Sequence, residues 1–210
     1  MSTSTTIDSR IDDIQANSYR DFHAKGLDYL CIRRDLELTL KVYFFDGDAS
    51  KIGEVVNPHD HRYHFESRVL AGEVENVIYS ETNEPAEHFD LFHYTTPLNG
   101  STQPGFKYLR TAQLKRDRTD NHQAGAVWDS RSAAIHTLSI RKPGTVLFLR
   151  QYVDVLPIGT PTRTFVPADR GAPSLQGLYR RFTRDEIVAK VAELEARTGK
   201  TVDDLLRHTV

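Results

Sequence analysis

The sequence predicts a mainly β protein, a small sandwich or barrel with helices at both ends. Residues 36–44 alternate apolar and more polar side chains, as expected of a strand with one apolar face. Further short strand-like runs follow, separated by turn residues such as those of Pro143-Gly144, and many short strands are typical of a sandwich or barrel. Both ends of the chain instead show helical spacing of apolar residues.

The N-terminal helix is predicted within residues 1–26. Ile7, Ile11, Ile14 and Phe22 recur at helix-like intervals, and Gly26 stands where a glycine would end the helix. We therefore expect an amphipathic helix before the first strand.

The barrel core is predicted over residues 27–156, followed by a proline-containing connector over 157–182. The strand over 36–44 has the clearest pattern. Other strands are expected at 68–79, 89–95, 106–115, 133–140 and 146–152.

Two helices are predicted in residues 183–210. Thr183 and Glu186 have the spacing of a capping box, and Gly199 follows the apolar stripe. Thr201 and Asp204 repeat the start signal for a short last helix. All four segments fit one domain of 210 residues.

Composition narrows the classes of partner. Lys+Arg 27 against Asp+Glu 29 gives a net charge of −2, so we expect neither nucleic acid nor a membrane surface as partner. The only cysteine is Cys31, and the polar N-terminus lacks the apolar core of a signal peptide, so a cytoplasmic location is expected. A small-molecule substrate and a homodimer are the partners we expect.

Candidate metal ligands are concentrated in residues 53–72. His59 and His61 are two residues apart, so on a strand both imidazoles leave the same face. Glu66 follows closely. Two imidazoles and a carboxylate suit Fe(II), Mn(II), Ni(II) or Zn(II) better than the oxygen-preferring Mg²⁺ or Ca²⁺.

The same stretch resembles the first motif of the cupin superfamily. Gly53, His59, His61, Glu66 and Gly72 fall on that pattern, with the last interval one residue shorter than usual. The resemblance implies a cupin-like β-barrel (a double-stranded β-helix, or jelly roll) and one further histidine ligand from a later strand.

The candidates for this third histidine are His88, His93, His122 and His136. His136 is preferred because it lies in the strand-like stretch 132–140, ahead of a Pro-Gly turn, and His122 is the next choice. The second cupin motif is not present as usually written.

Within the cupins, the chain is most similar to the thiol dioxygenases of the cysteine dioxygenase type. These share a His-Asp-His sequence, a third histidine in an apolar strand, and an arginine about 26 residues upstream that binds the substrate carboxylate. Arg33 stands at that distance from His59, so the resemblance implies Arg33 as the clamp, although on a strand only one of Arg33 and Arg34 faces the barrel. The Ser-x-His-x-Tyr pattern of the family is missing after His136, which puts a cysteine substrate in doubt.

The sequence leaves two alternative roles open for each of two residues in this stretch. Glu66 either completes a site of three histidines and one carboxylate or points away and leaves an open three-histidine face. His64 is a candidate catalytic residue or a surface residue, because a strand turns it to the face opposite His61.

The expected function is that of a mononuclear non-heme Fe(II) dioxygenase without an organic cofactor. Its substrate would be a small polar molecule bearing a carboxylate, a thiol or adjacent hydroxyls, oxidised with O₂. The alternatives are a metal-dependent cupin isomerase, epimerase or lyase that uses the ion as a Lewis acid without O₂, and a non-catalytic cupin that binds a small molecule.

Overall fold

The chain folds into two antiparallel sheets flanked by helices. The computed structural model describes residues 3–46, 57–99, 104–157 and 159–207. The helices in this part of the chain are α1 (Thr3–Asn17), α2 (Arg184–Thr198) and α3 (Val202–Arg207). The strands are β1 (Tyr19–Arg20), β2 (Leu27–Arg34), β3 (Thr39–Phe45), β4 (Tyr63–Ala71), β5 (Glu73–Glu81), β6 (Glu87–Thr95), β7 (Gly105–Gln123), β8 (Val127–Ser130), β9 (Ile135–Ile140), β10 (Val146–Asp154), β11 (Thr162–Pro167) and β12 (Arg180–Arg181).

The predicted mainly β barrel with a helix at its start and helices at its end is confirmed. Sheet A has the strand order β12-β1-β2-β3-β10-β4-β8, and sheet B has the order β11-β6-β7-β5-β9. The two edge strands of sheet B are joined through one residue, since His59 bridges both His136 on β9 and Thr164 on β11. The segment that carries His59 therefore closes sheet B on itself.

Sheet A has two faces of different character. Leu40, Val42 and Phe44 on β3 belong to a buried cluster that includes Ile14 of α1 and Ile187 of α2. The helices thus cover the apolar side of the alternating strand, and the mixed side turns toward the interior of the barrel. This strand begins later than predicted, at Thr39.

A glycine forms the corner between the sheets. The predicted strand 68–79 is two strands, β4 and β5, and Gly72 between them has φ +83°. A Cβ at this position would lie 2.7 Å from the Cα of Thr145. Only glycine combines this backbone conformation with such a close approach.

The N-terminal helix ends earlier than predicted, at Asn17. Tyr19 pairs with Tyr29 on β2 and with Arg181 on β12, so the chain leaves the helix to extend sheet A. Gly26, with φ +77°, belongs to the turn before β2 and does not end a helix.

The C-terminal signals correspond to real helix ends. Thr183 Oγ1 accepts a hydrogen bond from Glu186 N, and Glu186 accepts one from Thr183 N in return. Gly199 caps α2 in the left-handed conformation. The predicted connector 157–182, however, contributes β11 and β12 to the two sheets. Within the described ranges, no helix is both long and apolar enough to cross a membrane.

Candidate metal centre

Three of the predicted ligands come together at the cavity wall. His59 and His136 exchange both backbone hydrogen bonds, at 2.9 and 3.0 Å, and His61 N donates to the Ser132 carbonyl at 2.8 Å. The ring centroids lie 4.6 Å (His59–His61) and 5.1 Å (both pairs with His136) apart. One ligand atom from each ring lies within 4.8 Å of the other two. His136 is therefore the later-strand histidine that joins the motif.

The short segment that carries His59 and His61 is fixed on both sides. Opposite β9 it docks on β11, where Phe165 N donates to the Pro58 carbonyl at 2.8 Å. The Asp60 carboxylate accepts from Arg163 N and from Arg163 Nε, each at 2.6 Å. The Asp of the His-Asp-His sequence thus holds the two histidines in place.

Hydrogen bonds on the far side of two rings select the nitrogen that faces the centre. His59 Nδ1 lies 2.8 Å from the Asn57 carbonyl, and His136 Nδ1 lies 2.9 Å from Asn76 Oδ1. Both partners are acceptors, so each Nδ1 carries the proton and each Nε2 keeps its lone pair for a metal.

The separation of two of the ring nitrogens matches that of neighbouring ligands on one metal ion. His61 Nε2 lies 2.9 Å from His136 Nε2. Two metal–nitrogen bonds of about 2.0–2.1 Å at a right angle place the nitrogens about 2.8–3.0 Å apart. Neighbouring ligands of an octahedral ion therefore have the separation that the two rings show.

Desolvation favours the neutral form of all three imidazoles, of which His136 is buried and the other two are half-buried. Desolvation lowers the pKa of His59 and, with the charges of the neighbouring histidines, brings the pKa of His61 well below its ordinary range. Desolvation, followed by the charge of His59, lowers the pKa of His136 to about 3. Neutral imidazole is the form that binds a metal.

Glu66 does not join the three histidines. Residues alternate along β4, so Phe65 and Ser67 line the cavity while Glu66 faces the other side of sheet A. There Glu66 Oε1 lies 3.7 Å from a guanidinium nitrogen of Arg150, its cross-strand neighbour. The structure thus departs from the four-ligand reading and presents the open three-histidine face.

His64 acts on the site only through another residue. Its Nδ1 accepts a hydrogen bond from Ser132 N at 2.9 Å, and the Ser132 carbonyl accepts from His61 N. His64 is a positioning residue in this geometry, outside the cavity lining.

A β-bulge in β2 determines which of Arg33 and Arg34 lines the cavity. The pairing of β2 with β3 shifts register between Cys31 and Arg33. Arg33 therefore faces solvent, 44% exposed and paired with Asp35 at 2.6 Å, and does not reach the cavity as the predicted clamp would. Arg34 lines the cavity and donates to the Tyr29 hydroxyl at 3.0 Å.

The other candidate histidines lie elsewhere. His122 stacks on Trp128 with ring centroids 4.0 Å apart, His88 is exposed on β6, and His93 is paired in register with Arg163. Gly53, the first residue of the predicted motif, lies outside the described residues.

The cavity has a volume of about 690 Å³ and contains polar groups that the sequence pattern did not single out. Tyr94 and Tyr179 hydroxyls are 2.6 Å apart, and the Tyr179 hydroxyl lies 2.7 Å from His23 Nδ1. His23 and Tyr179 both have left-handed backbone, with φ +65° and +60°, a strain that concentrates at functional sites. Lys41 also lines the cavity. These residues are far apart in sequence, so no local sequence motif predicts that they lie together at the cavity.

The fold and the site define a class, that of small β-barrel proteins with a three-histidine centre suited to one metal ion. No family model and no curated protein sequence matches the chain. Among solved structures the chain is similar to an RmlC-like cupin from Shewanella frigidimarina NCIMB 400, with 17% identity, TM-score 0.34 and coverage of 61% of this chain and 78% of that one.

Two further structures are similar at the same level. KdgF from Halomonas sp. shares 14% identity at TM-score 0.34, over 62% of this chain and 82% of that one. A hydroquinone 1,2-dioxygenase from Sphingomonas sp. TTNP3 shares 8% identity at TM-score 0.34, over 60% of this chain and 65% of that one.

Proposed function

We propose that this chain is a cupin-type metalloenzyme, a mononuclear non-heme Fe(II) dioxygenase that oxidises a small polar molecule with O₂. The observation that carries the proposal is the group of three neutral histidines on the wall of a cavity large enough for a small molecule. Iron held by three imidazoles would supply redox chemistry and open positions for substrate and O₂. No carboxylate of the described residues joins the group.

The chain itself orients the ligands and shapes the space beside them. Asn57 and Asn76 fix two of the imidazoles by accepting hydrogen bonds from the imidazole Nδ1 atoms, and aromatic side chains line the cavity wall beside them. The hydroxyls of Tyr94 and Tyr179 with His23 form a hydrogen-bonded chain that can hold or pass a proton at the cavity surface.

On the sequence resemblance alone, we propose that the enzyme is of the thiol dioxygenase type among the cupins. Thiols, carboxylic acids and diols of small size therefore form the substrate panel. Because Arg33 faces solvent, a substrate carboxylate needs another cationic partner in this chain.

Metal analysis of protein purified without chelator, followed by O₂-electrode measurements with this panel, tests the proposal. We expect iron near one per chain and substrate-dependent O₂ uptake. His59→Ala, His61→Ala and His136→Ala should each lower the metal content well below one per chain, because each removes a ligand. His122→Ala is the matched control and should retain the metal.

The other outcomes have definite meanings. Zinc or manganese without O₂ uptake would favour an isomerase, epimerase or lyase that uses the ion as a Lewis acid. No stoichiometric metal in the wild-type protein would favour a non-catalytic binding role. Either result contradicts the dioxygenase.

A further inference from the structure

A buried lysine faces the cavity without an acidic partner. Lys41 on β3 is 5% exposed and lines the cavity. Its Nζ donates to the Tyr63 hydroxyl at 3.3 Å. Among the described residues no carboxylate forms an ion pair with Lys41, whose Nζ lies over the rings of Tyr29 and Tyr63. Burial of a cation is unfavourable unless an anion compensates it. We therefore expect Lys41 to bind an anion as its counter-ion.

Four carboxylates line the cavity wall, and none of them is the counter-ion of Lys41: arginines pair with three, and the fourth, Glu37, is exposed to solvent. The three pairs are Asp35 with Arg33, Asp60 with Arg163 and Asp154 with Arg62. The positive charge of Lys41 is therefore left for a molecule that enters the cavity.

The position of Lys41 relates it to the metal centre. Its Nζ lies 4.9 Å from the centroid of the Tyr63 ring, and the centroid of that ring lies 5.3 Å from that of His61. One tyrosine ring thus separates the lysine from a metal ligand. A small molecule held by Lys41 therefore lies in the same cavity as the three histidines.

The donors favour a carboxylate over other anions. Tyr63 accepts from Lys41, so its own hydroxyl proton remains free to donate. Two donors 3.3 Å apart match the two oxygens of one carboxylate, whereas a phosphate group usually draws more donors, often from arginines. Around them stand aromatic rings, including those of Phe22, Tyr29 and Tyr43.

We propose that Lys41 Nζ and the Tyr63 hydroxyl form a subsite for the carboxylate of the substrate, which is a small aromatic or apolar carboxylic acid. The aromatic wall packs against the apolar part of this molecule, and the carboxylate replaces the missing counter-ion of Lys41. As a statement about the substrate, this inference rests on the proposed function; as a statement about binding, it stands without the metal.

Calorimetric titration with benzoate and with the neutral isostere benzamide tests the subsite in the wild-type chain. We expect benzoate to bind about tenfold more tightly than benzamide or better, the ratio given by one charge-assisted hydrogen bond. Lys41→Met should abolish this preference, and Lys41→Arg should restore part of it. Lys115→Met, which removes an exposed lysine on β7, is the matched control and should leave the preference unchanged.

Repeating the titrations on metal-free protein separates this proposal from the metal assignment. Benzoate preference that persists without metal and disappears in Lys41→Met supports the subsite, whatever ion the histidines bind. Preference that needs the metal and survives in Lys41→Met means that the carboxylate binds the ion directly, and overturns the subsite. Equal binding of the two probes, or binding of neither, by the wild-type chain also overturns it, without recourse to a variant that fails to fold.

Discussion

Asn76 decides which nitrogen of His136 faces the other two histidines. This asparagine is 2% exposed on β5, and its side-chain oxygen accepts the Nδ1 proton. Residues that orient a metal-binding histidine in this way typically contribute 10–100-fold to metal affinity, as an order of magnitude. Asn76 thus contributes to metal binding by orienting His136, without contacting the ion itself.

Asn76→Leu should therefore weaken metal binding about 10- to 100-fold. Competition with a chelator, followed by metal analysis, measures the change. Asn76→Asp, which keeps the acceptor oxygen, should recover much of the affinity, and Asn121→Leu on the exposed side of β7 should have no effect. Unchanged affinity in Asn76→Leu would show that His136 needs no such partner.

Glu66 gives the opposite expectation. Because its carboxylate faces Arg150 on the far side of sheet A, Glu66→Gln should leave the metal content unchanged. Its ion pair is long and partly exposed, so the stability cost should be at most about 1 kcal/mol. Metal analysis and urea unfolding check the two statements, and a loss of metal would place Glu66 among the ligands.

The sequence could predict those site residues whose placement follows from the spacing or the strand pattern of their own segment. The spacing of His59 and His61 is enough to place both rings on one side, and the strand-like surroundings of His136 mark it as the later ligand. The side of the sheet that Glu66 faces depends on where the strand begins. The choice between Arg33 and Arg34 depends on a bulge that no alternation pattern reveals.

At the scale of elements, Gly72 marks the point where the chain passes from sheet A to sheet B. Gly72→Ala should destabilise the protein by more than about 2 kcal/mol, because left-handed backbone alone costs about 1–2 kcal/mol and the new Cβ meets the backbone of Thr145. Gly125, with φ +93° and open space around it, is the matched control.

Urea unfolding of the two variants separates backbone strain from steric conflict. Gly125→Ala should show only the conformational cost, about 1–2 kcal/mol. If both alanine variants lose the same stability, the close approach of Thr145 contributes nothing. A larger loss in Gly72→Ala supports the tight corner.

The elements predicted best are those with signals inside their own segment. The capping box of Thr183 and Glu186 specifies the start of α2 without any help from the rest of the chain. The sequence predicts a connector at the position of β11 because Thr162–Pro167 is short and lies among prolines. It becomes a strand because β6 pairs with it on one side and Pro58 accepts from Phe165 N on the other.

At the scale of the whole molecule, strand β3 contributes side chains to two interior regions, the apolar core under the helices and the cavity. Leu40, Val42 and Phe44 bury against the helices, while Lys41 and Tyr43 face the cavity. The helices thus supply the apolar core that sheet A needs on its outer side. This division leaves the inner side of sheet A free to carry polar groups such as Lys41, which faces the same cavity as the three histidines on the sheet B side.

The three clustered histidines also make the stability of the whole protein depend on pH. Desolvation lowers the pKa of His59, His61 and His136, the last to about 3, whereas in the unfolded chain each takes up a proton near pH 6.5. Below pH 6.5 the unfolded state therefore binds more protons than the folded state. The stability they contribute is present above that pH and is lost as the pH falls.

Urea unfolding of the metal-free protein at several pH values between about 7.5 and 5.5 measures this loss. We expect each of these histidines to contribute a slope of up to about 1.4 kcal/mol per pH unit below pH 6.5. His136→Leu removes one proton-binding group from the unfolded chain without adding a charge, so the free energy of unfolding of this variant should fall less steeply with acid than that of the wild type. Parallel curves for the two proteins would mean that His136 takes up its proton in the folded state as readily as in the unfolded chain, which contradicts its burial at the metal centre.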